Sequence, residues 1–141
     1  MCIDIMAQDA TVFAEGMTDA KLDALFSEAG AAIGSAAANL WGVHLPYGTY
    51  DISATDEAAR TTAVAKLRTV INSAMKHTSP KHFVIHPSTG TILTTGSDFA
   101  ARKAQSRKSL RELQTHIASC NSTYGLSTIL CVENCPRSVA Y

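Results

Sequence analysis

Two histidines and a glutamate close three short apolar runs in this 141-residue chain. His44 ends Leu40-Trp41-Gly42-Val43, His86 ends Phe83-Val84-Ile85, and Glu133 ends Ile129-Leu130-Cys131-Val132. Neutral imidazole and ionised carboxylate are lone-pair donors suited to a divalent ion, with a water or substrate oxygen taking an open position. Taken singly, a histidine at a strand end is more often a hydrogen-bonded structural residue, and a strand-end glutamate is comparably often a cap or an ion-pair partner. A carboxylate at the end of a buried run is nevertheless costly without a partner. Repetition of the pattern is what points to a site, and Pro46 and Pro87 stop the two histidine runs in similar ways.

The rest of the chain supplies elements able to bring these residues together. Cys2–Ala7 reads as a short strand, with Ile3 and Ile5 alternating with Asp4. From an N-cap at Thr18, Leu22, Leu25, Phe26, Ala29 and Ile33 follow helical spacing until Gly34 and Ser35. A second helix is expected from Thr55 or Asp56 to about His77, with Val64, Leu67, Ile71 and Ala74 or Met75 on one face. A third starts at an N-cap on Ser97 or Asp98, carries Leu110, Leu113, Ile117 and Cys120 on one stripe, and ends over Asn121 to Gly125. The last run, Ile129–Val132, has the continuous apolar character of a parallel strand covered on both faces.

The order strand, helix, strand, helix, strand, helix, strand places the chain in the α/β class as one domain over residues 1–141, with a parallel sheet built from alternating β-α units. Right-handed crossovers put the carboxyl ends of all strands on one rim. His44, His86 and Glu133 are then expected to converge there despite their distance in sequence.

Composition narrows the classes. With 46% hydrophobic residues the chain can build a core, and twelve basic against twelve acidic residues create no overall field toward nucleic acid or an anionic membrane. The N-terminus lacks a basic segment followed by a sustained apolar one, and no apolar run is long enough to span a bilayer, so a cytoplasmic location is expected. Cys2, Cys120, Cys131 and Cys135 lack the spacing of a small secreted domain and are expected reduced. A zinc site on Cys131 and Cys135 with Cys120 or His116 is a weaker assignment than inert cysteines, because its single C-x3-C begins inside a strand.

The segments Val43-His44-Leu45-Pro46-Tyr47-Gly48, Val84-Ile85-His86-Pro87-Ser88 and Cys131-Val132-Glu133-Asn134-Cys135-Pro136-Arg137 resemble, in order and spacing, strand-end motifs of the xylose-isomerase-like TIM-barrel superfamily. That superfamily contains sugar phosphate isomerases and epimerases and also endonuclease IV. The resemblance runs from about Ala10 to the end of the chain and implies a partial TIM barrel, about half, corresponding to strands two to five of eight. It implies Glu133 as metal ligand and participant in proton transfer. His44 and His86 are implied as further metal ligands or as substrate contacts, and Tyr47, Asn134 and Arg137 as contacts to sugar hydroxyls or a phosphate. The implied cofactor is a divalent ion such as Mn²⁺, Mg²⁺, Zn²⁺ or Co²⁺, and the implied ligand is a sugar or sugar phosphate.

A complete barrel takes about 250 residues, and the family's later ligands and its second acid/base carboxylate have no counterparts here. The expected function is therefore a metal-dependent sugar or sugar-phosphate isomerase or epimerase whose activity as a fragment is in question. The alternatives are an endonuclease-IV-like phosphodiesterase on abasic DNA and a non-catalytic half-barrel. Arg102, Lys103, Arg107, Lys108 and Arg111 fall mostly opposite the apolar stripe of the third helix, where a solvated face is the expected role, which argues against nucleic acid. A half-barrel would leave sheet edges and apolar side chains open, so homo-oligomerisation through them is expected.

Overall fold

The computed structural model describes residues 3–6, 18–34, 40–46, 50–88 and 96–133, of which 3–6, 40–41 and 96–97 are described by their backbone. Four short strands alternate with three helices: β1 (Ile3–Met6), α1 (Asp19–Ile33), β2 (Leu40–His44), α2 (Glu57–Thr78), β3 (His82–Ile85), α3 (Gly96–Tyr124) and β4 (Ile129–Val132). The strands form one parallel sheet in the order β1-β2-β3-β4. Helix α1 packs on α2, and α2 on α3. Sequential parallel strands joined by crossovers of one hand place their helices side by side on one face, and among the described residues no helix packs on the other, bare face of the sheet.

Burial separates the two faces. Val43, Phe83 and Ile85 are completely or almost completely buried beneath the helices, together with Leu67, Ile71, Ala74 and Met75 of α2 and Leu113 and Ile117 of α3. Side chains alternate along a strand, and the register pairs Val43 with Phe83 and Phe83 with Leu130. The bare face therefore carries Gly42 and His44 of β2, His82, Val84 and His86 along β3, and Ile129, Cys131 and Glu133 along β4. Helix α2 follows the predicted stripe closely, being enclosed on both sides by α1 and α3. On α1 only Leu22 and Phe26 are buried and Leu25 is exposed, because among the described helices α2 is the one that packs on it.

Two sequence expectations are corrected. Strand β4 is not covered on both faces: Ile129 remains 59% exposed and none of its four residues is fully buried. Its position at the edge of the sheet and on the bare face explains both observations. Helix α3 does not start from an N-cap on Ser97 or Asp98: it begins at Gly96, with both residues in its first turn. It runs to Tyr124, and Asn121 reaches back from its last turn, accepting from the Thr128 backbone N–H at 2.9 Å and donating to the Thr128 carbonyl at 2.8 Å. That asparagine reads as a terminator in sequence but acts as the tie between α3 and β4.

The α1 cap matches the sequence, and α2 is capped by Asp56. Thr18 accepts from Lys21 N–H at 3.3 Å, and Asp56 accepts from Ala59 N–H at 2.7 Å. Gly34 closes α1 at a φ of 49°, a left-handed value that a residue without Cβ adopts readily.

Candidate metal centre

His44 and Glu133 are placed by a ladder that continues past their strands. Leu45 N–H donates to the Val84 carbonyl at 2.8 Å, holding the chain straight through His44, and Glu133 N–H donates to the Ile85 carbonyl at 2.9 Å. The pairing of Ile85 with Val132 sets His86 beside Glu133, and the pairing of His44 with Val84 sets His44 one step back along the neighbouring strand. The prolines then take over: Pro46 and Pro87 are both buried, and the Pro87 carbonyl accepts from Ser106 Oγ of α3 at 2.8 Å. The loop before α2 is pinned in turn. Asp51 accepts from Ser53 N–H at 3.0 Å and from Arg102 Nη2 at 2.6 Å, while Ser109 Oγ donates to the Ile52 carbonyl at 2.8 Å.

The convergence expected from topology is present. Glu133 Oε2 lies 3.0 Å from His44 Nε2 and 3.1 Å from His86 Nε2, and the two imidazoles meet edge to face with centroids 5.0 Å apart. One potential ligand atom from each residue falls within 4.8 Å of the others. The histidine side chains are mostly enclosed, at 14% and 16% exposure, whereas Glu133 is 45% exposed. The cluster thus has a walled floor and an open side.

The protonation states follow from the contacts. His44 Nδ1 sits 2.9 Å from the Leu45 carbonyl, which can only accept, so Nδ1 carries the proton. In the neutral ring, Nε2 then points a lone pair at a carboxylate oxygen. Such a contact requires a cation between the two, either a proton on Nε2 or a metal ion. Burial pushes the His86 imidazole down toward its neutral form, more strongly than the nearby Glu133 charge pulls it up, and His44 adds to the downward shift. The hydrogen bond from His44 holds Glu133 below the usual carboxylate range. A His86 imidazole pushed toward its neutral form and an anionic Glu133, together with a backbone carbonyl fixing the His44 tautomer, suit a metal ion. Two imidazoles and one carboxylate also match the donor preferences of Zn²⁺ better than those of Mg²⁺ or Ca²⁺.

The three expected ligands are brought together, while Tyr47, Asn134 and Arg137 lie outside the described residues, as do Cys2 and Cys135. Among the described cysteines, Cys120 is buried on the helix side, with Sγ 3.6 Å from His116 Nε2, and burial pushes its thiol pKa up. Cys131 is half-buried on the bare face. Arg102 is not simply solvated: it forms the 2.6 Å bond to Asp51 that braces the rim loop, and Lys108 pairs with Glu57 at 2.6 Å. Sequence reasoning also passed over Arg60, which is 1% exposed and bonded to Glu57, Glu112 and Ser109. Its signal was available, because Arg60 falls in step with Val64, Leu67 and Ile71 on the buried stripe. No family model matches the chain, and a search of curated proteins finds no match. Among the described residues, no helix is long and apolar enough to cross a membrane.

Proposed function

We propose that this chain is about half of a TIM barrel of the xylose-isomerase-like kind and that it binds a divalent transition ion as part of a sugar or sugar-phosphate isomerase or epimerase. The convergence of His44, His86 and Glu133 at the carboxyl ends of three adjacent parallel strands carries this reading. It is at this end that α/β barrels keep their reacting groups. When bound, the ion would polarise neighbouring carbonyl and hydroxyl oxygens of an open-chain sugar.

The chain's own residues would do the rest. His44 and His86 hold two positions from the enclosed side, leaving the solvent side for substrate. Glu133, anionic and the most exposed of the three, is placed both to ligate and to exchange a proton with a substrate carbon or oxygen. Tyr47, Asn134 and Arg137 flank the ligand segments in sequence and are assigned to sugar hydroxyls or a phosphate, Arg137 by its bidentate fork. A single carboxylate cannot serve both faces of a substrate carbon, so full turnover needs a second acid/base group from outside this cluster.

Calorimetric titration with Zn²⁺ and Mn²⁺ tests the site, with Glu133→Gln as the comparison. One ion per cluster in the parent and none in the variant is expected, and absence of binding by the parent at millimolar metal overturns the proposal. Exchange of the substrate's carbon-bound hydrogen with deuterated solvent, followed by NMR on a panel of sugars and sugar phosphates, tests the chemistry.

One observation favours a second reading. Both imidazoles turn Nε2 to Glu133, in ligand rather than substrate-facing positions. The resemblance associates this use of the histidines with endonuclease IV. Metal-dependent cleavage of a duplex containing an abasic site, without hydrogen exchange on sugars, would select a phosphodiesterase.

A further inference from the structure

Among the described residues, the sheet has two unpaired edges of one sense and one face on which no helix packs. β1 and β4 are its terminal strands, all four strands run parallel, and the helices pack together on one side. The outward groups of β4 are identifiable. Ile129 and Glu133 donate their N–H groups inward to Lys81 and Ile85 of the β3 side. Alternate residues of a parallel strand address the same neighbour, so Leu130 and Val132 turn their backbone N–H and C=O groups to the free edge. On the bare face the Ile129 side chain is 59% exposed, beside His82 in the register.

We propose that a second copy of this chain occupies these edges, with β4 of each copy pairing in parallel with β1 of the other about a two-fold axis along the strands. A rotation of this kind satisfies both free edges of both copies at once, because each copy offers one β1 edge and one β4 edge of matching direction. Four strands from each copy make the eight at which a parallel barrel closes with its interior filled by side chains. The exposed Ile129 becomes interior packing, and the open side of the metal cluster becomes the mouth of an enclosed pocket. The same symmetry brings a second set of the three ligands to the same rim, including the additional carboxylate that the proposed chemistry needs. The pairing rests on the half-barrel reading of the sheet and is independent of metal binding.

Analytical ultracentrifugation at micromolar concentration tests it. A mass of two 15.0 kDa chains is expected for the parent and also for Glu133→Gln, which separates assembly from the metal site. Val132→Pro removes an outward N–H while sparing the inward ladder, and Ile129→Lys puts a charge into the closed interior at a position exposed in the single chain. Both should give single chains with the parent's helical circular dichroism. A parent of one-chain mass, a species that keeps growing with concentration, or a two-chain mass surviving both substitutions would overturn the proposal. So would a Cys131–Cys131 disulfide, mapped by mass spectrometry after mild oxidation. It would place the two β4 strands beside each other, whereas barrel closure keeps them on opposite walls, beyond the roughly 7 Å Cα separation a disulfide tolerates.

Discussion

Glu133 is the residue on which the candidate site turns, since both imidazoles reach the same one of its carboxylate oxygens. His44 has its Nδ1 anchored on the Leu45 carbonyl, so its ring is aimed before any ion arrives, and burial pushes the His86 imidazole toward its neutral form. His44→Ala and His86→Ala should each weaken Zn²⁺ binding by more than about 100-fold in titration, given that even outer-shell partners are worth about 10–100-fold. The affinity of the parent should fall as pH drops through the imidazole range, because each ligand must shed its proton to bind. His86 works in favour of binding here. With its pKa lowered by burial, it is neutral and available at pH values where an unperturbed imidazole, near about 6.5, would be half protonated. A pH series of metal titrations measures this dependence.

At the scale of elements, the helices are fitted closely enough that two substitutions have clear signs. Gly30 lies in α1, where alanine ordinarily favours a helix by about 1 kcal/mol. A Cβ there would meet the His77 backbone carbonyl of α2, and a main-chain oxygen within a helix cannot swing aside. Gly30→Ala should therefore destabilise the protein, by about 1–3 kcal/mol in chemical denaturation, as overpacking does. Arg60 joins α2 to α3 by donating to Glu57, Glu112 and Ser109 from an enclosed position. Truncation to alanine leaves a cavity and removes charge-assisted bonds. Its carboxylate partners can still reach solvent, so the loss should be about 2 kcal/mol, below that for a fully buried pair.

At the scale of the whole molecule, carboxylates clamp together the helices that the described residues layer over one face of the sheet, and this sets the response to acid. Asp23 of α1 is held down to about 2, first by Lys76 and then by Ser73, with His77 adding to the effect, all three on α2. Glu57 is held at about 2 by Arg60 and then by Lys108 of α3. Both folded-state values lie below the ordinary 3.8 and 4.5, so the stabilisation is fully present above those values. It is lost as pH falls from about 4.5 toward about 2, where the folded-state carboxylates also take up protons. The midpoint of urea denaturation should be level above pH 5 with respect to these two groups and decline below it. Asp23→Asn and Glu57→Gln should each flatten that decline.

The α/β class, the approximate positions of the four strands and the Thr18 cap could be read from the amino-acid order, because apolar periodicity, capping and proline act within a few residues. The common polar ending of three apolar runs also picked out His44, His86 and Glu133. Tertiary structure decided the rest. The cluster depends on strand register, as a slip of one residue would turn each side chain to the helix face. The aim of His44 depends on a backbone carbonyl, which side-chain identity does not reveal. Asn121 and Arg102 read locally as a helix stop and a solvated cation, yet their partners, Thr128 and Asp51, lie across a turn and in another loop. The exposure of Ile129 depends on strand order: an apolar run signals burial, but only assembly of the sheet determines whether anything lies over both of its faces.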